Sequence, residues 1–198
     1  MPYVTLDGIR THYEIHGSGP ALLMMAPRGF NSTIGSWHLR LWKEMDVFKA
    51  LGRHFTCIAY DRREAGQSGG RVEVLTYDVM ARQGKLLLEH LEVDKAWVIG
   101  PCMGASVGAR FAAQYPEACI ALMLLQPVGG HRWLLKMRGR FDTHIEWVVE
   151  HGLQGALEYA QGKCGIFQDD GRGGPWASCL AGDPEFAARF LRQDTGGY

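Results

Sequence analysis

No long apolar run occurs in this chain. The longest extends only from Ala21 to Pro27, far short of the roughly 20 residues that a membrane-spanning helix needs. Net charge is missing as well. The 21 Lys and Arg side chains offset 21 Asp and Glu, so there is no electrostatic footprint for nucleic acid or an anionic membrane. Cysteine is sparse and odd in number, at five, which excludes a disulfide-stapled miniprotein. Met1-Pro2-Tyr3-Val4 opens no signal-peptide pattern. Free thiols in a reduced, cytoplasmic compartment are therefore expected. Proline is scarce at 8 residues, and the 26 glycines follow no period, which excludes a collagen-like chain. What is present is a chain of 198 residues, 46% of them apolar, enough for one domain with a sizeable core.

The apolar residues fall in short blocks. Val4 to Leu6 and Arg10 to His16 flank Asp7-Gly8, a strong hairpin signal. Ala21 to Met25 is all apolar, as expected of a strand buried on both faces. Trp37 to Leu51 reads as a helix, with Ser36 as its N-cap and Gly52 as its stop. Phe55 to Tyr60 is a second buried strand, followed by a Gly-rich loop from Asp61 to Val74. Thr76 caps a helix to about Leu91, with Val79, Leu86, Leu87 and Leu91 on its apolar face. Ala96 to Ile99 is a strand, Ala105 to Tyr115 a helix closed by Pro116, and Cys119 to Leu125 a strand. Alternating strands and helices at this spacing predict an α/β fold with a mostly parallel sheet, the hairpin adding an antiparallel edge. After Gly130 no buried strand is evident. His131 to Tyr198 reads as helices broken at Gly139, Gly152, Gly162 and Gly171 to Gly174.

The chemistry concentrates in Trp97-Val98-Ile99-Gly100-Pro101-Cys102-Met103-Gly104-Ala105-Ser106. This is G-x-C-x-G, a nucleophile elbow with Cys in place of Ser. Small neighbours permit a sharp strand-to-helix turn, which sets the thiol at a helix N-terminus, where partial positive charge favours thiolate. The N–H of Met103 is placed to serve as half of an oxyanion hole. The opening Asp7-Gly8 with Tyr13 to Pro20, the loop Asp61-Arg62-Arg63-Glu64-Ala65-Gly66-Gln67-Ser68 (D-x-R-x-x-G-x-S), and the elbow follow in order. Together they resemble the α/β-hydrolase family from residue 3 to residue 130. A Cys at the elbow is similar to dienelactone hydrolase within that family, although that group lacks a helical cap. The resemblance implies an α/β-hydrolase core, here its N-terminal part, over residues 1–130. It implies an incomplete helical cap or lid over 131–198.

Three departures from the family pattern bear on function. The nucleophile is Cys102, and the alternative for it is an inert thiol; Ser106 lies a helical turn too far on to replace it. The family's His-Gly after the third strand is replaced by Arg28-Gly29-Phe30. The second oxyanion N–H then falls to Phe30, or to Asn31 if the loop shifts by one. Arg28 is either a substrate-anion contact or a solvent-facing side chain. Finally, the acid and His that follow the nucleophile in the family are missing. The turn Gln126-Pro127-Val128-Gly129-Gly130 carries no carboxylate, and His131, His144 and His151 come too early for the family's terminal His. The chain is expected to lack the last strands and two triad members, and to be inactive alone.

Cys164 and Cys179 with His144 and His151 lack zinc spacing, so no metal is expected. No G-x-G-x-x-G follows a strand, so no nucleotide or other cofactor is expected. Trp133, Phe141, Trp147, Tyr159, Phe167 and Trp176 either line an apolar pocket or form ordinary core. The expected function is hydrolysis of a carboxylic ester, lactone or thioester. The alternative is a non-catalytic relative that binds a small ligand. The expected partner is a small molecule, with neither nucleic acid nor membrane, and the chain is suited to homo-oligomer formation.

Overall fold

The hairpin signal at Asp7-Gly8 is realised as β1 (Tyr3–Leu6) and β2 (Ile9–His16), joined by two left-handed residues, Asp7 at φ 52° and Gly8 at φ 75°. The computed structural model describes residues 2–29, 32–70, 73–128 and 131–160. Four further strands follow: β3 (Ala21–Met24), β4 (Thr56–Tyr60), β5 (Ala96–Pro101) and β6 (Cys119–Leu125). They build one six-stranded sheet in the order β1-β2-β4-β3-β5-β6. Strands β3 to β6 are mutually parallel, and β2 pairs antiparallel with β4. This is the α/β architecture expected from the alternation of strands and helices.

Side-chain alternation explains why β3, β4 and β5 are apolar throughout. Leu23, Ile58 and Val98 point to one face, against Leu87 and Leu88 of α3 (Tyr77–His90) and Phe111 of α4 (Met103–Gln114). Leu22, Met24, Cys57 and Ala59 point to the other, against Ile34, Trp37, Val47 and Phe48. Both faces are covered, so neither parity can be polar.

The long helix expected over Trp37 to Leu51 is not continuous. The segment forms a 3-10 turn (Ile34–His38), then α1 (Arg40–Glu44) and α2 (Val47–Leu51), broken at Asp46, whose φ is 45°. The break lets Trp37 and the Val47-Phe48 pair reach the same core, and Asp is among the residues that tolerate the left-handed region. In α3 the Thr76 hydroxyl does cap, accepting the Val79 N–H. The buried face, however, is Met80, Ala81, Gly84, Leu87 and Leu88, with Val79, Leu86 and Leu91 only half-buried. Helix α4 begins at Met103, two residues before the expected start at Ala105, tight against the elbow.

The chain divides into two compact units, Met1–Val128 and Gly129–Tyr198. In the second, α5 (His131–Ala160) runs through Gly139 without interruption and kinks at Gly152, at φ 70° and ψ 174°. Gly139 was expected to break the helix, but a helical glycine costs only about 1 kcal/mol relative to Ala, which neighbouring residues offset. Gly162 and Gly171 to Gly174 lie outside the described residues. No described helix is long and apolar enough to cross a membrane.

Candidate active site

The chain runs from β3 outward to β4, then returns past β3 to β5. Their parallel C-terminal ends therefore diverge between β3 and β5, the switch point where open α/β sheets bind ligands. Cys102 follows β5 at this point. Its backbone has φ 54° and ψ −125°, a region strained for any residue with a side chain. The turn is held by Cys102 N–H donating to Leu125 O at 2.9 Å and by Ala105 N–H donating to Cys102 O at 3.0 Å. The two flanking glycines are required by close backbone approach. A Cβ on Gly100 would sit 2.1 Å from the Gly104 carbonyl oxygen, and one on Gly104 would sit 2.3 Å from that of Met25. The thiol is free and half-buried. Met103 is the first residue of a 12-residue helix, so its N–H is among those with no intrahelical acceptor.

Across the switch point, the loop after β3 is tied down at its start. Met25 N–H donates to Ile99 O at 2.9 Å, and the Ser32 hydroxyl donates to Ala26 O at 2.9 Å. Arg28 is half-buried on this loop with a left-handed φ of 80°. Phe30 and Asn31, the candidates for the second oxyanion N–H, lie outside the described residues. His131 opens α5 and is exposed. His151 stacks on Trp147, ring centroids 3.7 Å apart, with Nδ1 3.2 Å from the Trp147 carbonyl oxygen. The side chains of Trp133, Phe141, His144 and Tyr159 lie outside the description, as do Phe167, Cys164, Trp176 and Cys179 altogether. Among the described residues no three His, Cys, Asp or Glu side chains gather as a metal would require.

Of the other described thiols, Cys57 is fully buried, and its pKa is pushed up to about 11 by desolvation. Cys119 is half-buried, and burial raises its pKa.

A carboxyl in the loop after β4 is also displaced. Glu64 is held up to about 7, first by burial and then by the charge of Glu73, against the opposing pull of Arg62 and Arg63. The unfolded chain gives up this proton near 4.5, the folded chain only near 7. Between those values the unfolded state binds fewer protons, so this group lowers stability as pH rises through the window. Glu64→Gln should therefore flatten the loss of stability between pH 4.5 and 7 and raise the urea midpoint at pH 8. A variant with the parent's pH slope and midpoint would show that Glu64 carries no such load.

Residues 28–156 match the family described as the alpha/beta hydrolase fold. The chain belongs to the α/β-hydrolase fold family. An uncharacterized protein of Mycobacterium tuberculosis is 30% identical over 129 residues, covering 65% of this chain and 35% of that protein. The soluble epoxide hydrolase of Corynebacterium sp. (strain C12) is 29% identical over 146 residues, covering 74% of this chain and 47% of that α/β-hydrolase relative. The chain thus spans less than half the length of either. Among solved structures, the enol-lactonase from Burkholderia xenovorans LB400 superposes with a TM-score of 0.62 at 19% identity, over 80% of this chain and 57% of that one. Hydrolase is the activity named for the Corynebacterium relative, and the shared α/β-hydrolase sheet agrees with the expected fold.

Proposed function

We propose that this chain is part of a Cys-dependent hydrolase acting on a carboxylic ester, lactone or thioester. The observation that carries the reading is Cys102 at φ 54° between two backbone-locked glycines, at the sheet's switch point and at the start of α4. The Cys102 thiolate attacks the substrate carbonyl carbon, whose oxygen takes up the negative charge. The N–H groups of Met103 and Phe30 receive that charge as the oxyanion hole. The intermediate collapses to a thioester on Cys102 and expels the alkoxide or thiolate, which takes a proton. Water then cleaves the thioester, releasing the acid and the thiol. Arg28 is assigned to an anionic group on the substrate. The acid and His that complete the site are proposed to lie outside these 198 residues, and the second unit is read as a cap.

Thiol reactivity tests the reading without a known substrate. At pH 7 iodoacetamide should label Cys102 faster than Cys57 or Cys119, whose burial suppresses the thiolate. Peptide mapping of a short time course measures this. Equal or slower labelling at Cys102 in folded protein would remove the support for a nucleophile there.

A further inference from the structure

The loop across from Cys102 is gripped from behind by a buried carboxylate. Asp61, 3% exposed, follows β4 directly. Its Oδ1 accepts the Ile34 N–H at 2.8 Å, at the far end of the loop after β3. Its Oδ2 accepts the Gln67 N–H at 2.8 Å and faces His12 Nδ1 at 3.0 Å. His12, 1% exposed, is held in turn: its backbone N–H donates to the Ser68 hydroxyl at 2.9 Å, and that hydroxyl donates to the Asp61 carbonyl oxygen at 2.8 Å. Arg62 N–H donates to Ser32 O at 3.0 Å, a second link between the same two loops. Gly66, at φ 56°, approaches so closely that a Cβ there would lie 2.5 Å from Asp61 Oδ2. The Asp61 carboxyl thus ties together three segments: Ile34 after β3, Gln67 after β4 and His12 on β2.

We propose that Asp61, oriented by His12, is a positioning residue: it holds Ile34, at the described end of the loop after β3, across the switch point from Cys102, and so acts on turnover through that loop. The inference rests on the hydrolase reading for its catalytic consequence. The grip itself can be measured separately.

The test uses full-length protein, hydrogen exchange and a nitrophenyl ester. In Asp61→Asn, one carbonyl oxygen and one NH2 replace two acceptors, so Ile34 and Gln67 compete for a single partner. Exchange at the Ile34 and Gln67 amides should rise about tenfold or more. Turnover kcat should fall about tenfold, with KM near the parent value and the rate of iodoacetamide labelling at Cys102 unchanged. Should Asp61→Asn fail to fold, the pair His12→Leu and His12→Asn takes its place. Leu removes the donor to Oδ2 and should reproduce both effects, whereas Asn keeps a donor near the Nδ1 position and should restore them. Unchanged exchange at Ile34, or equal losses in kcat and Cys102 labelling, would overturn the proposal. An inactive parent with Ile34 exchange raised in the variant would overturn the hydrolase reading and leave the grip of Asp61 standing.

Discussion

Cys102→Ala should lower turnover of a nitrophenyl ester by the full-length protein about a thousandfold or more, to the rate in buffer. Its urea midpoint should stay close to the parent's, because the lost sulfur is only half-buried. Cys102→Ser should retain a trace of activity, since a hydroxyl needs a stronger base than a thiol. Cys102→Gly separates chemistry from folding. At φ 54° and ψ −125° a glycine relieves backbone strain, and the variant should be inactive yet about 1 kcal/mol more stable than the parent. A stability gain in the glycine variant would show that the cysteine is kept at a strained position against a cost. Undiminished turnover by purified Cys102→Ala would exclude nucleophilic catalysis at this position.

Gly100→Ala should disrupt the turn at Cys102 severely. Its Cβ would meet the Gly104 carbonyl at 2.1 Å and the Ala105 nitrogen at 3.0 Å. Both are backbone atoms, so either β5 and α4 separate or the turn fails to form. A loss of about 3 kcal/mol is expected from urea melts. Any folded remainder should turn over about a hundredfold more slowly, because the elbow shifts by a fraction of an ångström or more. Gly139→Ala supplies the control. It lies in α5 with nothing within 4 Å of the added carbon, and it should stabilise by up to about 1 kcal/mol. Equal effects at the two positions would mean that the elbow does not depend on close backbone contact.

The strand pattern was legible because the central strands are covered on both faces, which leaves unbroken apolar runs. The tight turn at Cys102 was legible because glycines stand on both sides of it, where the backbones approach too closely for a side chain. What escaped the sequence depended on geometry across the chain. Asp46 carries no local mark of a helix break, and its left-handed turn follows from Trp37 and Phe48 sharing one core. On α3, Leu87 is buried and Leu86 and Leu91 pack against the core as the periodicity predicts, whereas Ala81 and Gly84, too small to register as apolar anchors, are buried as well. The partnership of His12 with Asp61 spans 49 positions. Only the place of Asp61 at the head of the loop motif hinted at it, and nothing near His12 did.

Strand β6 closes the described sheet on one side, with Ile120 50%, Met123 54% and Leu124 41% exposed. Backbone donors and acceptors along such an edge accept any extended neighbour, and its apolar side chains reward the encounter.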